Sequence, residues 1–344
     1  MLSPEPCNEF CRGSSAALRP RPKSAMRLMA TGLVPVNSAL AIGVRKMSRA
    51  APGRMAGGPI VVYMGAMNSA NNGRTPKDSH YARLRRAHRE RQGGEAPPPT
   101  APPEGLVRLY GLHTVRAALD NPGRKIARML VTRNAAQRLE LGPLDALPFP
   151  AELVEPRAID ALTGPDAVHQ GVLIETRPRK TRTLGGLGDA RLVLVLDQVT
   201  DPHNVGAIMR SAVAFGVDAL VTTARHSPAE SGVLAKSASG ALEHLDHIEV
   251  RNLADALTEL HGAGFQTVGL DSDGPLVLEQ ALDGGKIALV LGAEGKGLRH
   301  KTRETVTKLA RLDMPGAIRS LNVSNAAAVS LYIARRQLGR TASG

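Results

Sequence analysis

The apolar positions in the second half of the chain come in short unbroken runs. LVLVL at 192–196 is followed by ALVTT at 219–223, FQTVGL at 265–270 and IALVLG at 287–292. A strand covered on one face alternates apolar and polar residues, so runs without alternation predict strands covered on both faces, as in a parallel sheet flanked by helices. The intervening NVGAIMRSAVAFG, 204–216, and the closing SLNVSNAAAVSLYIARRQL, 320–338, carry Ala, Leu, Val and Ile at helical spacing. Alternation of the two patterns predicts an α/β unit with a mostly parallel sheet.

A smaller α/β unit precedes it. LVRLYGLHTVRAAL (106–119) reads as a strand and a helix, KIARMLVT (125–132) as a strand, AIDALTG (158–164) as a short helix closed by glycine, and VHQGVLIET (168–176) as a strand. The proline run EAPPPTAPPEG at 95–105 marks a linker ahead of this unit, and the basic RPRKTRTLGGLGD at 177–189 marks a connector behind it. The expected organisation is an extension and linker over 1–104, a small unit over 105–178, a connector over 179–190 and the large unit over 191–340. A length of 344 residues agrees with two domains, since one domain takes about 100–200 residues.

Charge separates the extension from the rest. Residues 1–100 hold 16 Lys and Arg against 5 Asp and Glu, a net +11, whereas the remainder holds 28 against 26, a net +2. A cationic segment biased to Pro, Gly and Ser is expected to be largely disordered and able to hold RNA phosphates without sequence choice. Arg83, Arg85, Arg86, Arg89 and Arg91 form a basic stretch suited to a helix on RNA. No acid stands between Glu9 and Asp78, a composition shared by organelle transit peptides and by sequence translated upstream of a true start, for which Met67 is a second candidate. The second reading is taken, with a cytoplasmic protein; a mitochondrial one is the alternative if the segment is a transit peptide.

Other chemistries lose ground on composition. Cys7 and Cys11 both lie at the N-terminus, which leaves no cysteine for a disulfide framework or a zinc site in the body of the chain. No run reaches about 18 apolar residues, so no membrane span is expected. His203, His226, His244, His247 and His261 lack the i, i+4 spacing with an intervening Glu, so no catalytic metal is expected. At 2% aromatic residues and no Trp, little base stacking is available.

Three segments of the large unit carry candidate chemistry. DQVTDPHNVGAIMRSAVAFG (197–216) joins a buried strand to a helix, with Asp201 and Asn204 at the turn, Gly206 permitting close approach, and Arg210 within the first turns, where it can face the strand ends. In IALVLGAEGKGLR (287–299) a strand ends among Gly292, Gly295 and Gly297 around Glu294, and neither nucleotide-phosphate glycine fingerprint is matched. LDMPGAIRSLNVSNAAAV (312–329) combines a short apolar run, a Pro-Gly turn and a Ser/Asn-rich helix entry. Taken singly, Arg210 reads as a surface arginine, Glu294 as a solvated loop acid and Asn322 as a cap.

Together and in this order the three blocks resemble the signature of the SpoU (TrmH-like) family of RNA ribose 2′-O-methyltransferases, part of the SPOUT superfamily. The resemblance covers Leu192 to Leu338. The small unit, through GLHTV (111–115) and HQGV (169–172), is similar to the RNA-binding domain like ribosomal protein L30e that precedes the methyltransferase domain in many members. The resemblance implies a deep trefoil knot in the C-terminal domain, a rare departure from unknotted folds. It also implies S-adenosyl-L-methionine bound over backbone of the second and third blocks, which assigns Leu291, Gly292, Leu312, Met314 and Leu321 to the cofactor. Asn204, Arg210, Glu294 and Asn322 match the polar positions of the three blocks, and Arg210 is the residue usually assigned to activating the ribose hydroxyl.

The resemblance further implies a homodimer through the knotted domain, RNA as partner and a guanosine of large-subunit, 23S-type rRNA as substrate, with tRNA as the alternative. The methyl donor is already a sulfonium, so the protein has mainly to align the 2′-oxygen for in-line attack. An arginine with a pKa of roughly 12 or above is a poor base, which favours Arg210 steadying a phosphate or the developing alkoxide unless its surroundings are unusual. Two other readings compete: an RNA-binding or ribosome-assembly protein without catalysis, and an enzyme of the same superfamily that methylates a base nitrogen. The four matched polar residues speak against the first, and NVGAIMRSA and SLNVSNAAAV against the second.

Overall fold

The structure, a computed structural model, describes residues 100–341 apart from Pro165 and Ile318. The readings of residues 1–99, including the arginine stretch and the candidate start at Met67, lie outside the described residues.

The small unit is a four-stranded sheet with three helices. In chain order these are β1 (Val107–Tyr110), α1 (Leu112–Asp120), β2 (Ile126–Val131), α2 (Arg133–Arg138), β3 (Ala151–Leu153), α3 (Pro156–Thr163) and β4 (Val172–Thr176). The strand order is β1-β4-β2-β3, with β4 antiparallel to both neighbours and β3 parallel to β2. β3 was not visible in the sequence pattern, because its three residues carry a central Glu152 and no buried position.

The connector is fastened to the large unit. Arg179 Nη1 donates to the carbonyls of Leu242 and Leu245, the latter at 3.2 Å. Arg182 bridges to Ile248 and pairs with Asp246 at 2.6 Å, while Leu184 and Leu187 pack on the apolar core.

The large unit runs β5 (Leu192–Asp197), α4 (Pro202–Ala214), β6 (Ala219–Thr223), α5 (Gly232–Ala238), β7 (Asp246–Val250), α6 (Leu253–Gly262), β8 (Gln266–Leu270), β9 (Leu276–Val277), α7 (Leu278–Ala281), β10 (Ile287–Gly292), α8 (His300–Thr305), β11 (Lys308–Arg311) and α9 (Val323–Thr341). Its seven strands lie in the order β7-β6-β5-β10-β8-β11-β9, and each neighbouring pair is parallel. The chain fills one side of β5 with β6 and β7 and then crosses to the other side, so the order of strands reverses beside β5. In open α/β sheets that reversal is where loops part and ligands bind.

The two-residue period of the strands divides one sheet between two cores. Leu192, Leu194 and Leu196 of β5, with Ile287, Leu289 and Leu291 of β10, face α4, α5, α7 and α9. Val193, Val195, Ala288 and Val290 face α6, Leu298 and Val306. Every residue of β5 is buried, which is why its sequence shows no alternation.

Helix α4 begins at Asp201, whose carboxylate accepts from the amides of His203 (3.1 Å) and Asn204 (3.2 Å), with Pro202 in the first turn. Gly206 lets α4 meet α5: a Cβ there would lie 2.6 Å from the Leu234 carbonyl oxygen and 2.9 Å from the Ala238 nitrogen. Both are backbone atoms and cannot swing aside. Gly206→Ala is therefore expected to lower the unfolding free energy by about 2 kcal/mol or more through overpacking, read by denaturant titration; an unchanged midpoint would show that the helices separate freely.

A second prediction concerns pH. His247 on β7 shares a 2.8 Å hydrogen bond with Thr222 Oγ1, and burial, with the nearby Arg179 charge, lowers its pKa to about 4. The unfolded chain, with an ordinary histidine near 6.5, then binds the proton first. Stability from this site is complete above pH 6.5 and is lost as pH falls towards 4. His247→Gln should flatten that part of the melting temperature–pH curve relative to the parent chain.

Candidate active site

Because all the strands of the large sheet point the same way, β5, β10, β8 and β11 end at one edge. Three loops leave that edge: the turn into α4 after Asp197, the turn after Gly292 and the segment from Leu312 to Asn322. They hold the three blocks singled out in the sequence.

The second loop is tight. Gly297 N donates to the Ala293 carbonyl at 2.9 Å, and Gly295 and Gly297 take φ of 75° and 65°, which a side chain resists. The loop folds back so closely that a Cβ on Gly292 would sit 2.1 Å from the Gly297 carbonyl carbon. Glu294 is exposed at its tip.

A chain of hydrogen bonds links the loops. Asn322 Oδ1 accepts from the amide and the hydroxyl of Ser324, at 2.9 and 2.6 Å, and so starts α9. Asn322 Nδ2 donates to Asn204 Oδ1 at 3.0 Å, and Asn204 Nδ2 donates to Glu294 Oε2 at 3.4 Å. Each amide thus has its carbonyl satisfied on one side and its NH2 on the other, which fixes its orientation. Three polar positions from three blocks, up to 118 residues apart, meet in one row.

Arg210 is not part of that row. It lies six residues beyond Asn204, about 120° away from it around the α-helix, is exposed, and its side chain makes no hydrogen bond or ion pair among the described residues.

The residues matched to a cofactor fall into two kinds. The Leu291 side chain is buried in the core beneath the sheet edge, so it offers backbone alone. Leu312 and Met314 are half-buried, Leu312 against the core, and Leu321 is exposed. Among the described residues no backbone group of 313–321 bonds to another backbone group.

Two supporting residues were not singled out in the sequence. Asp197, fully buried at the end of β5, accepts from Arg299 N at 3.0 Å and Arg299 Nε at 2.6 Å, which ties the far side of the second loop to the first. Gln198, next in the chain, takes a left-handed φ of 61°, a conformation that disfavours a non-glycine residue by about 1 kcal/mol and turns the chain sharply at the strand end. The available signal was an acid directly after five apolar residues. Among the described residues no three His, Cys, Asp or Glu side chains are grouped to hold a metal, and no helix is long and apolar enough to cross a membrane.

A parallel α/β sheet with a hydrogen-bonded polar row at its carboxyl edge frames the class of protein. Residues 191–332 match the SpoU rRNA Methylase family, and residues 108–182 match the RNA 2′-O ribose methyltransferase substrate binding domain. The 23S rRNA (guanosine-2′-O-)-methyltransferase RlmB of Vibrio vulnificus is 36% identical over 238 residues, covering 67% of this chain and 96% of that protein. RlmB of Ralstonia nicotianae is 38% identical over 241 residues, covering 67% of this chain and 95% of that protein. The crystal structure of the SpoU methyltransferase AviRb from Streptomyces viridochromogenes in complex with AdoMet superposes with a TM-score of 0.58 at 22% identity, covering 77% of this chain and 98% of that one. The chain belongs to the SpoU rRNA methylase family.

The Asp197–Arg299 pair gives this subsection's prediction. Removing the cation leaves the buried Asp197 carboxylate with only the residue-299 amide as donor, so Arg299→Ala should cost about 2 kcal/mol in chemical unfolding, against about 1 or less for an ordinary surface pair. A loss below 1 kcal/mol would show that water reaches Asp197.

Proposed function

We propose that this chain transfers a methyl group from S-adenosyl-L-methionine to a ribose 2′-hydroxyl of RNA, and that the nucleotide is a guanosine of large-subunit rRNA. The carrying observation is the row Asn322–Asn204–Glu294, in which one residue from each block is held at the carboxyl edge. Relatives at 36 and 38% identity, matched over nearly their whole length and named for 23S rRNA guanosine, support the substrate.

The chain's groups fit the donor. Leu312 and Met314 offer an apolar wall to an adenine ring, and the backbone of Leu291, Gly292, Leu312, Met314 and Leu321 offers donors and acceptors to its edge and to the amino-acid tail. When bound, S-adenosyl-L-methionine supplies a methyl already activated on sulfur. What the protein adds is alignment of the 2′-oxygen, worth several orders of magnitude in rate. Asn204, clamped between Asn322 and Glu294, is placed to hold the ribose. Arg210, exposed and without a side-chain partner among the described residues, steadies the adjacent phosphate or the alkoxide as it forms.

In this reading residues 105–178 are the substrate-binding domain, 179–190 the connector and 191–340 the methyltransferase domain, whose C-terminal segment passes through a trefoil knot. The insertion of β10 between β5 and β8 agrees with such threading. The protein acts in the cytoplasm as a homodimer. The outer face of α9 supports pairing there, since it exposes Val329 (43%) and Tyr332 (49%), with the Tyr332 ring edge-on to Phe215 at 6.2 Å.

Labelled methyl transfer to total rRNA and tRNA, followed by nuclease mapping, tests the proposal. Label should appear in an alkali-resistant dinucleotide of 23S-type rRNA and fall by about 100-fold in Arg210→Ala. Label on a base, or on tRNA alone, would overturn the substrate. Donor binding without transfer to rRNA or to unassembled ribosomal particles would favour an RNA-binding protein without catalysis.

A further inference from the structure

The small unit is joined to the large one through a buried ionic cluster that adhesion alone does not require. Arg124, in the loop between α1 and β2, has a side chain with no exposed surface. Its Nε donates to both carboxylate oxygens of Glu243, at 3.0 and 3.2 Å, its Nη2 donates to Glu243 as well, and its Nη1 donates to Glu230 at 2.6 Å and to the Arg177 carbonyl at 3.2 Å. Glu243, in the tight turn Ala241–Glu243 of the large unit, is 1% exposed and also accepts from Asn121 Nδ2 at 2.7 Å. Glu230 accepts from the Arg179 amide at 2.9 Å.

Apolar contact between the units is already plentiful: Leu109, Leu112, Val115 and Ala118 share one core with Leu234, Ala235 and Ala238. Burying an ion pair yields little net stability compared with apolar side chains of the same volume. What a guanidinium fork adds is direction, since its donors lie in one plane and donate to carboxylates at set angles.

That direction reaches the site through one helix. On one side of α5, Gly232 meets β1 so closely that a Cβ would lie 2.2 Å from the Tyr110 ring, and Thr114 Oγ1 donates to the Ala235 carbonyl at 3.0 Å. On the other side, α5 backbone abuts Gly206 of α4, two residues from Asn204. Helix α5 thus packs closely against both the small unit and the helix that carries Asn204.

We propose that Arg124 and Glu243 are positioning residues: they fix the angle at which the small unit presents RNA to the Asn204–Glu294–Asn322 row, and so select which nucleotide of a bound RNA is methylated. This rests on the RNA-methylation reading above. Loss of the lock leaves both binding surfaces intact and misaligns them.

The test uses the full chain with Glu243→Gln, which keeps the side-chain shape, and Arg124→Lys. For each, S-adenosyl-L-methionine affinity and the KM for 23S rRNA should stay within about twofold of the parent, kcat should fall about tenfold or more, and mapped label should spread to neighbouring nucleotides. Unchanged kcat and an unchanged nucleotide would overturn the proposal, as would a rise in KM alone, which would mean adhesion, or a parallel loss of donor binding, which would mean general damage. A second readout does not depend on activity. With Cys7 and Cys11 replaced by serine, spin labels at the exposed positions Leu153→Cys and Glu259→Cys should give one narrow distance distribution by pulsed electron resonance. Glu243→Gln should broaden it; an equally narrow distribution would overturn the proposal even if the parent chain methylated no RNA, a result that by itself would remove the functional reading.

Discussion

Seven strands hydrogen-bonded in parallel can end their carboxyl termini only on one edge, and the chemistry of this protein depends on that constraint. Each strand of such a sheet needs a crossover, and each crossover starts from the same edge, so distant parts of the sequence arrive together. Asn204, in the first turn of α4 after β5, and Glu294 and Asn322, in the segments after β10 and β11, touch because those strands lie within a few positions of one another in the sheet. The apolar strands themselves, buried on both faces, make the edge stiff enough to hold side chains in one register.

Stiffness has to be carried from the sheet to the loops, and buried polar contacts do this. Asp197 ends an apolar strand and grips Arg299 across the second loop. The caps at Asp201 and Asn322 start the two helices that flank the row. Close backbone packing at Gly206, Gly232 and Gly292 leaves little room for rearrangement. The loop from Leu312 to Leu321 is the exception. Among its described residues, 313–321 make no backbone–backbone hydrogen bond.

Much of this was legible in the sequence, for identifiable reasons. β5 and β10 are unbroken apolar runs, α4 and α9 have helical spacing, and the three blocks have residue types tied to turns and caps. β7, β9 and β11 were not legible: DHIEV and KLAR mix charged with apolar residues, and β9 has two residues. Strand order was not legible either, since no local pattern shows β10 sliding between β5 and β8. At the site, the polar row was expected as a set, but its geometry was not, and Arg210, expected with the others, stands apart. The Arg124–Glu243 pair spans 119 residues and left no local trace, because a buried ion pair is a property of the docked surfaces and not of either segment.

The central claim is that the carboxyl edge between β5 and β11 is where the methyl donor binds. Hydrogen–deuterium exchange of the intact chain with and without saturating S-adenosyl-L-methionine tests it most directly. The account predicts slowed exchange in 291–299 and 312–322, with the small unit and the opposite edge of the sheet unchanged. Protection centred elsewhere, or none at a concentration that saturates binding by calorimetry, would contradict it.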